Sequence, residues 1–260
     1  MLIIFLGIFI IVVVLFTTTI KISTDNTPCI LNDYFDKVVC ISTPKRKNSM
    51  SRILNIWNVD YEFYDAYLKT DYDENALVKE GFIDSECSLN KGRVCCHYSH
   101  MQVLKEFIDD PEAKTLLVFE DDMEFTYNNV KQLNRVLEPF LKSLPHDWNY
   151  LNLGPCYEEC SKTTSENTHW RNAYKTVCRN AIAFSKSGAR IVYRNCKPMV
   201  DNAGDAMIAQ LIMYNKLPRA YISTGQLFKQ NRALFSSNLG NYQSLRICSE
   251  KDYDPEKLNV

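Results

Sequence analysis

The sequence lacks any marked excess of charge of one sign. Its 260 residues carry 30 Lys and Arg against 31 Asp and Glu, which gives a formal net charge of −1. Binding to nucleic acid through a general electrostatic field needs a basic surplus, so we expect no nucleic-acid partner. Gly and Pro are scarce, at 8 and 9 residues, and no internal repeat or low-complexity tract is present. Long flexible linkers and fibrous architectures are therefore excluded.

Histidine is also rare, with four residues of which the last is His169. A metal-dependent phosphoesterase normally gathers more His and Asp ligands around two metal ions, so that enzyme class is disfavoured. Apolar residues, by contrast, make up 46% of the chain and include 13 Phe, 15 Tyr and 3 Trp. This content is enough to bury a substantial core and excludes general disorder.

The first twenty residues form an uncharged segment that is continuously apolar from Leu2 to Phe16. About 20 apolar residues in a helix span the hydrocarbon core of a bilayer, so residues 1–20 are predicted to be a signal anchor. A cleaved signal peptide is the main alternative, although no basic residue precedes the apolar run. A buried core helix is a third reading. Residues 21–33 are predicted to be a short polar stem, and residues 34–260 a single domain.

Ten cysteines fit an exported protein, in which an even number favours disulfides. Cys156, Cys160 and Cys178 surround a polar stretch that resembles a surface loop in need of a crosslink. A zinc site is the alternative, because the same three residues could bind a metal, but no second close pair completes it. The pairing of the cysteines is not readable from the sequence.

Strand-like and helix-like segments alternate along the chain from residue 37 onward. Strands are predicted near residues 37–41, 61–64, 115–119, 150–153, 181–184 and 220–223. Helices are predicted near residues 49–57, 96–108, 130–140, 185–192 and 205–214. In the fourth of these helices, Ser185 is suited to cap the first turn. Such alternation is typical of an α/β sheet that is at least partly parallel.

The sequence TLLVF at residues 115–119 is followed at once by Glu120, Asp121, Asp122 and, after Met123, by Glu124. A continuous apolar run of this length is typical of a strand buried on both faces. Ligands of open α/β sheets bind beyond the carboxyl ends of the strands, which is where these acids fall. Carboxylate oxygens suit Mg²⁺ or Mn²⁺, and such an ion can bridge to phosphates. A solvated acidic turn is the alternative.

Six blocks of the chain, taken in order, resemble glycosyltransferase family 25, the family of bacterial lipooligosaccharide galactosyltransferases and procollagen galactosyltransferases. The blocks are KVVCIS with PKR at residues 37–46, YDA at 64–66, CHYSH at 96–100, LVFEDD at 117–122, WNYLNLG at 148–154 and AFSKSGA at 183–189. Together they extend over roughly residues 37–232. Each block alone is weak, whereas six in the same order are fairly specific.

The resemblance implies a GT-A-like, Rossmann-like fold with a mixed, mostly parallel sheet flanked by helices. It also implies that a hexose, with galactose or glucose favoured, is transferred from a UDP-sugar with inversion, and that Mn²⁺ is the usual metal, with Mg²⁺ as the other option. In this frame Asp122 and Glu120 would hold the metal. The nucleotide-sugar would contact the residues that match the family blocks, namely Arg46, Asp65, Ala66, His100, Glu120 and Asp121.

A base that removes the proton of the acceptor hydroxyl is the remaining requirement of a single inverting displacement. The family carries an acidic residue before a late helix, and here Asp205 is the first candidate and Asp201 the second. Asp205 could equally be an ordinary helix cap. His100, likewise, either meets the donor at the positive end of a helix or is simply packed.

The chain departs from the family in two places. Cys95 stands where the family shows Gly, and no late His is available to complete a metal shell, so Gln226, Gln230 or water would have to serve. Because the family includes members thought to be inactive, a catalytically silent binding or adhesion module is the alternative to an enzyme. The expected acceptor is a glycan or a hydroxylated protein side chain. The expected location is a single-pass type II membrane protein facing the lumen of the ER or Golgi, or another exported setting.

Overall fold

The computed structural model describes residues 27–225 and 227–231. The helices are α1 (Leu31–Tyr34), α2 (Pro44–Ile56), α3 (Glu74–Lys79), α4 (Lys91–Asp109), α5 (Val130–Lys142), α6 (Lys186–Asn195) and α7 (Gly204–Met213). The strands are β1 (Lys37–Ser42), β2 (Glu62–Asp65), β3 (Thr115–Glu120), β4 (Met123–Phe125), β5 (Tyr150–Asn152), β6 (Thr164–Ser165), β7 (Trp170–Asn172), β8 (Ala181–Ser185), β9 (Ala220–Ser223) and β10 (Phe228–Gln230). The six strands predicted from the sequence are all present.

Eight strands form one sheet in the order β2-β1-β3-β8-β5-β9-β7-β6, and β10 pairs with β4 in a separate ribbon. Parallel pairing joins β1 to β2, β1 to β3 and β5 to β9. The other four pairings of the sheet are antiparallel. The predicted mixed sheet is therefore confirmed, but the prediction that it is mostly parallel is wrong. The segment between β5 and β8 contains no crossover α-helix, so β8 returns beside β5 in the opposite direction.

Helices cover both faces of the sheet. On one face, α2 and α5 pack against alternate residues of β3, Leu117 and Phe119. On the other face, α4, α6 and α7 pack against Leu116 and Val118 of the same strand. All four of these β3 side chains are buried, which confirms the prediction of a strand buried on both faces. The sheet is thus the middle layer of an α/β sandwich of three layers.

Local signals set the ends of two helices that matter for the site. The side chain of Ser185 accepts a hydrogen bond from the backbone N–H of Gly188, which confirms the predicted cap of α6. The predicted start of α4 near residue 96 is wrong, because the helix begins at Lys91. Asn90 provides the cap there by accepting a hydrogen bond from the backbone N–H of Arg93, as Asn commonly does.

The folded body begins before the predicted boundary at residue 34. Cys29 and Leu31 fall within the predicted stem, yet both are fully buried in the core beneath α2 and α5. Within residues 27–225 and 227–231, no helix has both the length and the apolar character needed to cross a membrane. The predicted anchor at residues 1–20 lies outside the described residues.

Candidate functional site

A cavity of about 810 Å³ opens at the carboxyl ends of β1, β2 and β3. These three strands are parallel, so their carboxyl ends meet at one edge of the sheet. The cavity walls come from Thr43 and the first turn of α2, the segment that follows β2, the first half of α4, the acidic turn after β3, and Gln230 of β10. The predicted acidic turn therefore lies where open α/β sheets bind their ligands. Among its acids, Glu124 is not part of the cavity wall and pairs instead with Lys229.

Asp121 joins the acidic turn to Thr43 and to the first turn of α2. One carboxylate oxygen accepts a hydrogen bond of 2.8 Å from Arg46 Nη1. The other accepts bonds from the backbone N–H and the hydroxyl of Thr43, at 2.8 and 2.9 Å. With both oxygens engaged and only 8% of the residue exposed, Asp121 holds Arg46 and Thr43 against the cavity.

The two carboxylate oxygens of Asp122 differ in their hydrogen bonding. Its Oδ2 accepts a 2.7 Å hydrogen bond from the side-chain amide of Gln230, whereas its Oδ1 is buried and has no hydrogen-bond partner among the residues that the structure describes. Burial and the neighbouring charge of Glu120 raise the pKa of Asp122 to about 7. A buried, unpaired carboxylate oxygen is costly unless a cation or donor meets it, so this oxygen fits a divalent cation bound in the cavity. The residues present therefore fit the implied Mn²⁺ or Mg²⁺.

Glu120, at the end of β3, lies beside two side chains of α4. His100 Nε2 is 2.8 Å from Glu120 Oε1, and Cys96 Sγ is 3.6 Å from the same oxygen. Burial raises the pKa of Glu120, and the negative charge of Asp205 raises it further. Burial lowers the pKa of His100 well below its usual value. His100 lies in the interior of α4, so its predicted place at the positive end of a helix is wrong.

Arg179 is a buried cation behind the cavity that the sequence did not single out. It is 6% exposed, and its guanidinium bonds to His97 Nδ1 at 3.0 Å and to Cys96 Sγ at 3.2 Å. Burial opposes its charge, but Cys96, Glu120 and Asp205 together raise the pKa of Arg179. The sequence signal is a charged residue separated by Asn180 from the apolar strand β8, and that signal does not indicate which acids Arg179 will meet.

His97 is held neutral between Arg179 and α6. Its Nε2 lies 2.8 Å from the carbonyl oxygen of Cys196, which leaves Nδ1 to accept from Arg179. Burial and the guanidinium lower the pKa of His97 to about 3. The network therefore contributes one fixed positive charge, that of Arg179, next to the acids of the site.

The two candidate bases have different surroundings. Asp205 lies in the first turn of α7, where Oδ2 accepts from the backbone N–H of Cys178 at 3.3 Å and Oδ1 from that of Ala206 at 3.0 Å. The N-cap of α7 is Ala203, so Asp205 is not the capping residue. The charge of Asp205 reaches Glu120 and His100, although it is not part of the cavity wall. Asp201 is exposed and accepts a bond only from Asn202 among the contacts described.

The remaining predicted donor contacts divide into two groups. Arg46 and Ala66 line the cavity, together with Lys45 and Lys69. Asp65 does not line it, and its exposed carboxylate pairs with Lys47 at 2.7 Å. Gln226, one of the substitutes considered for a late His, lies outside the described residues.

Tyr67, Trp148 and Trp170 are aromatic side chains of the kind that can stack on a sugar, and their positions differ. Trp170 and Trp148 are buried in the core, and the indole N–H of Trp170 donates to the carbonyl oxygen of Phe140. Tyr67 lies in the wall of the cavity. Of the three, only Tyr67 is placed to meet a ligand there.

The predicted crosslink of the polar loop is present as a disulfide between Cys156 and Cys178. Cys160 is disulfide-bonded as well, so the alternative of a zinc site on these three residues is excluded. Six other cysteines are free thiols, among them Cys95 and Cys96 in the wall of the cavity. The disulfide joins residue 156 to the residue that precedes Arg179, which fixes the segment carrying that cation.

Comparison with known proteins gives matches over most of this region. A family model described as Glycosyltransferase family 25 (LPS biosynthesis protein) matches residues 38–205. Mouse procollagen galactosyltransferase 2 is 28% identical over 131 residues, which are 46% of this chain and 21% of that protein. The rat protein named probable inactive glycosyltransferase 25 family member 3 is 30% identical over 131 residues, 46% of this chain and 23% of that protein. The match thus spans about a fifth of either relative.

Among solved structures, a glycosyltransferase involved in the glycosylation of the major capsid of PBCV-1 is 11% identical, with a TM-score of 0.42. That similarity covers 75% of this chain and 93% of the other.

Proposed function

The chain belongs to glycosyltransferase family 25, and we propose that it transfers a hexose, galactose or glucose, from a UDP-sugar to a hydroxyl acceptor in a metal-dependent, inverting reaction on a GT-A-like fold. One observation carries the proposal: the buried Oδ1 of Asp122 has no partner within residues 27–225 and 227–231, and it belongs to a residue in the wall of a cavity at the carboxyl ends of parallel strands. That arrangement suits a cation and the diphosphate it accompanies.

Asp122 is the residue we propose to hold Mn²⁺, or Mg²⁺ in its place, with Glu120 in the same cavity as a second carboxylate. When bound, the divalent ion would stabilise the negative charge that develops on the departing diphosphate. Gln230 keeps Asp122 in place through its bond to Oδ2. Because Gln230 already donates to this carboxylate, it supports the ligand where the family would offer a late His.

The donor nucleotide would lie along the first turn of α2. Lys45, Arg46 and Lys69 bring three positive charges to the cavity wall, and such charges pair well with a diphosphate. Arg46 is fixed by its ion pair with Asp121, so the orientation of its guanidinium is set before a ligand arrives. Ala66 would pack against the uridine. Asp65 points to Lys47 instead, so its proposed contact with the nucleotide requires that ion pair to open.

Asp205 is the base that we propose for the acceptor. In the displacement, the acceptor oxygen bonds to the anomeric carbon, the bond from that carbon to the diphosphate breaks, and the hydroxyl proton passes to the carboxylate. Asp205 interacts electrostatically with Glu120 and His100, whereas Asp201 is exposed and paired with its neighbour. Asp201 is the second candidate.

A catalytically silent binding module is the alternative function. Its support is that Asp205 does not belong to the cavity wall and that one relative carries the word inactive in its name. A silent member would still bind the nucleotide-sugar through the first turn of α2, which carries Arg46.

The acceptor and the cellular location are also proposals. We propose a glycan or hydroxylated protein side chain as acceptor, and a type II membrane protein with its body in the secretory lumen or otherwise exported. The disulfide between Cys156 and Cys178 supports an oxidising compartment, because such bonds are rare in the cytosol.

The test offers a panel of UDP-sugars to the full chain and measures UDP release with Mn²⁺, with Mg²⁺ and with a chelator. We expect release that needs a metal and that falls by at least about 100-fold in Asp122→Asn, because a metal ligand in the transition state is lost. Glu124→Gln is the matched control from the same acidic stretch, outside the cavity, and should retain activity. Release that survives both the chelator and Asp122→Asn would contradict the metal assignment, while binding of UDP-sugar without release would favour the silent module.

A further inference from the structure

Three side chains of different chemistry converge at the back of the cavity: Cys96, His100 and Glu120. One donor atom from each lies within 4.8 Å of the other two. Cys96 and His100 are four residues apart on α4, so both project from the same side of the helix, toward the end of β3. The 3.6 Å between Cys96 Sγ and Glu120 Oε1 matches the separation of neighbouring ligands of a small tetrahedral ion. The 2.8 Å between His100 Nε2 and the same oxygen is a hydrogen bond, which would lengthen and be replaced when an ion binds.

The donor set differs from that around Asp122. A thiolate, an imidazole and one carboxylate are the ligands that zinc and cobalt prefer, whereas Mg²⁺ and Mn²⁺ prefer oxygen alone. All three residues line the cavity, so a fourth position faces open space and could take water or a ligand oxygen. Three protein ligands with one open position is the arrangement typical of reactive zinc sites.

The charges around the three residues suit a divalent cation. Arg179 Nη2 donates to Cys96 Sγ at 3.2 Å and would stabilise a thiolate there. Burial and Glu120 nevertheless hold the pKa of the Cys96 thiol well above its usual value, so the sulfur keeps its proton until a metal displaces it. Cys96 as thiolate, Glu120 and Asp205 would contribute three negative charges, and Arg179 with a divalent ion would contribute three positive ones. On binding, the thiol proton would leave to solvent, and the proton of His100 would move to the ring nitrogen that is not bound to the metal.

We propose that Cys96, His100 and Glu120 form a second cation site that is selective for zinc and cobalt over manganese and magnesium. The site shares Glu120 with the Mn²⁺ site proposed above, but it does not use Asp122. It goes beyond the proposed transferase activity and does not require it, since the ligands are residues of this chain whether or not a sugar is transferred.

The test titrates the full chain with Co²⁺ and records its absorption spectrum. Bound Co²⁺ should show a near-ultraviolet sulfur-to-cobalt charge-transfer band together with the intense visible bands of a four-coordinate ion. Cys96→Ser should lose the charge-transfer band, and His100→Gln should lose the four-coordinate visible bands. Cys95→Ser is the matched control, since it removes the adjacent thiol in the same cavity wall, and it should retain both features. Zn²⁺ should displace the cobalt, and Mg²⁺ should not.

Asp122→Asn separates this proposal from the proposed function. We expect that variant to keep the cobalt spectrum while losing metal-dependent UDP release. Circular dichroism of each variant establishes that it is folded. If Cys96→Ser does not fold, His100→Gln still tests the site, because it keeps the thiol and should lose the four-coordinate visible bands. A wild-type spectrum without sulfur-to-cobalt charge transfer would overturn the site, as would a band that survives Cys96→Ser or disappears in Cys95→Ser.

Discussion

At the scale of single residues, the unpaired oxygen of Asp122 has a thermodynamic consequence. A carboxyl whose pKa is about 7 in the folded chain and about 3.8 in the unfolded chain binds its proton more tightly when folded. The free energy of unfolding therefore falls as the pH rises from about 4 through 7, because the folded state must then bury the charge. A residue kept for binding a cation would thus cost stability whenever the cation is absent.

Asp122→Asn is accordingly expected to stabilise the metal-free protein above pH 7, since the amide cannot ionise. One pKa unit corresponds to about 1.4 kcal/mol, so the gain at pH 8 should be on the order of 2–4 kcal/mol, shrinking toward zero near pH 4. Urea denaturation of the wild type and the variant in chelator, at pH 8 and at pH 4, measures this gain in the free energy of unfolding. Glu124→Gln should show no such pH-dependent difference. A variant that is equally stable or less stable than the wild type at pH 8 would contradict the cost assigned to Asp122.

Arg179 is the second residue whose removal should be measurable. Arg179→Met leaves Glu120 and Asp205 near one another without the buried cation, and it leaves His97 Nδ1 without its donor. Removing one partner from a buried charged group typically costs about 3–5 kcal/mol, and we expect a loss of that size in urea denaturation. Arg194→Met, on the exposed side of α6, is the control and should change the free energy of unfolding by less than about 0.5 kcal/mol. Equal effects of the two substitutions would show that the network does not stabilise the fold.

At the scale of elements, α7 approaches the site because its first residue has no side chain. A Cβ on Gly204 would lie 2.1 Å from His97 Nδ1 and 2.7 Å from Arg179 Nη1, and both of those groups are buried and bonded. The helix that carries Asp205 can therefore rest directly on the Arg179–His97 network. Any side chain at this position would push that network or α7 out of place.

Gly204→Ala is expected to lower the free energy of unfolding by about 1–3 kcal/mol, the usual cost of overpacking, and to lower UDP release with it. Gly92→Ala is the matched control, because a Cβ there would meet the flexible end of Lys69, at 2.7 Å from its Cε, and Asn90 Oδ1 at 3.3 Å, with no backbone atom among these near contacts. That variant should stay within about 1 kcal/mol of the wild type. Thermal unfolding of the pair provides the measurement, and a Gly204→Ala protein as stable as Gly92→Ala would show that α7 is not tightly docked.

Sequence patterns predicted the elements well where the signal is local. The apolar run of β3 and the Ser185 cap of α6 each depend on neighbouring residues, and both were confirmed. The start of α4 differs from the prediction because Asn90, which precedes the CHYSH block, already caps the helix through the backbone N–H of Arg93. The direction of β8 depends on how the segment after β5 returns to the sheet, which no local pattern specifies.

At the scale of the whole molecule, the site combines residues that are distant in the chain. The acidic turn was predicted because its residues are adjacent in sequence and follow a buried strand. Its partners, Gln230 and Arg179, come from β10 and from the segment before β8, and only the folded sheet brings them together. Hence the position of the site could be inferred from the sequence, whereas the unpaired oxygen and the buried cation could not.

Because the cavity wall draws on elements from β1 to β10, a ligand bound there should stabilise the whole fold. UDP with Mn²⁺ at 100 times its dissociation constant adds about 2.7 kcal/mol, which raises the melting temperature of a chain of this size by roughly 5–10 °C. CMP with Mn²⁺, or UDP with chelator, should shift it much less. Asp205→Asn should keep the shift while losing UDP release, because a base acts on the acceptor and not on the nucleotide. If UDP and CMP shift the wild type equally, the cavity does not select a uridine diphosphate, and the donor assignment fails even if a sugar is transferred.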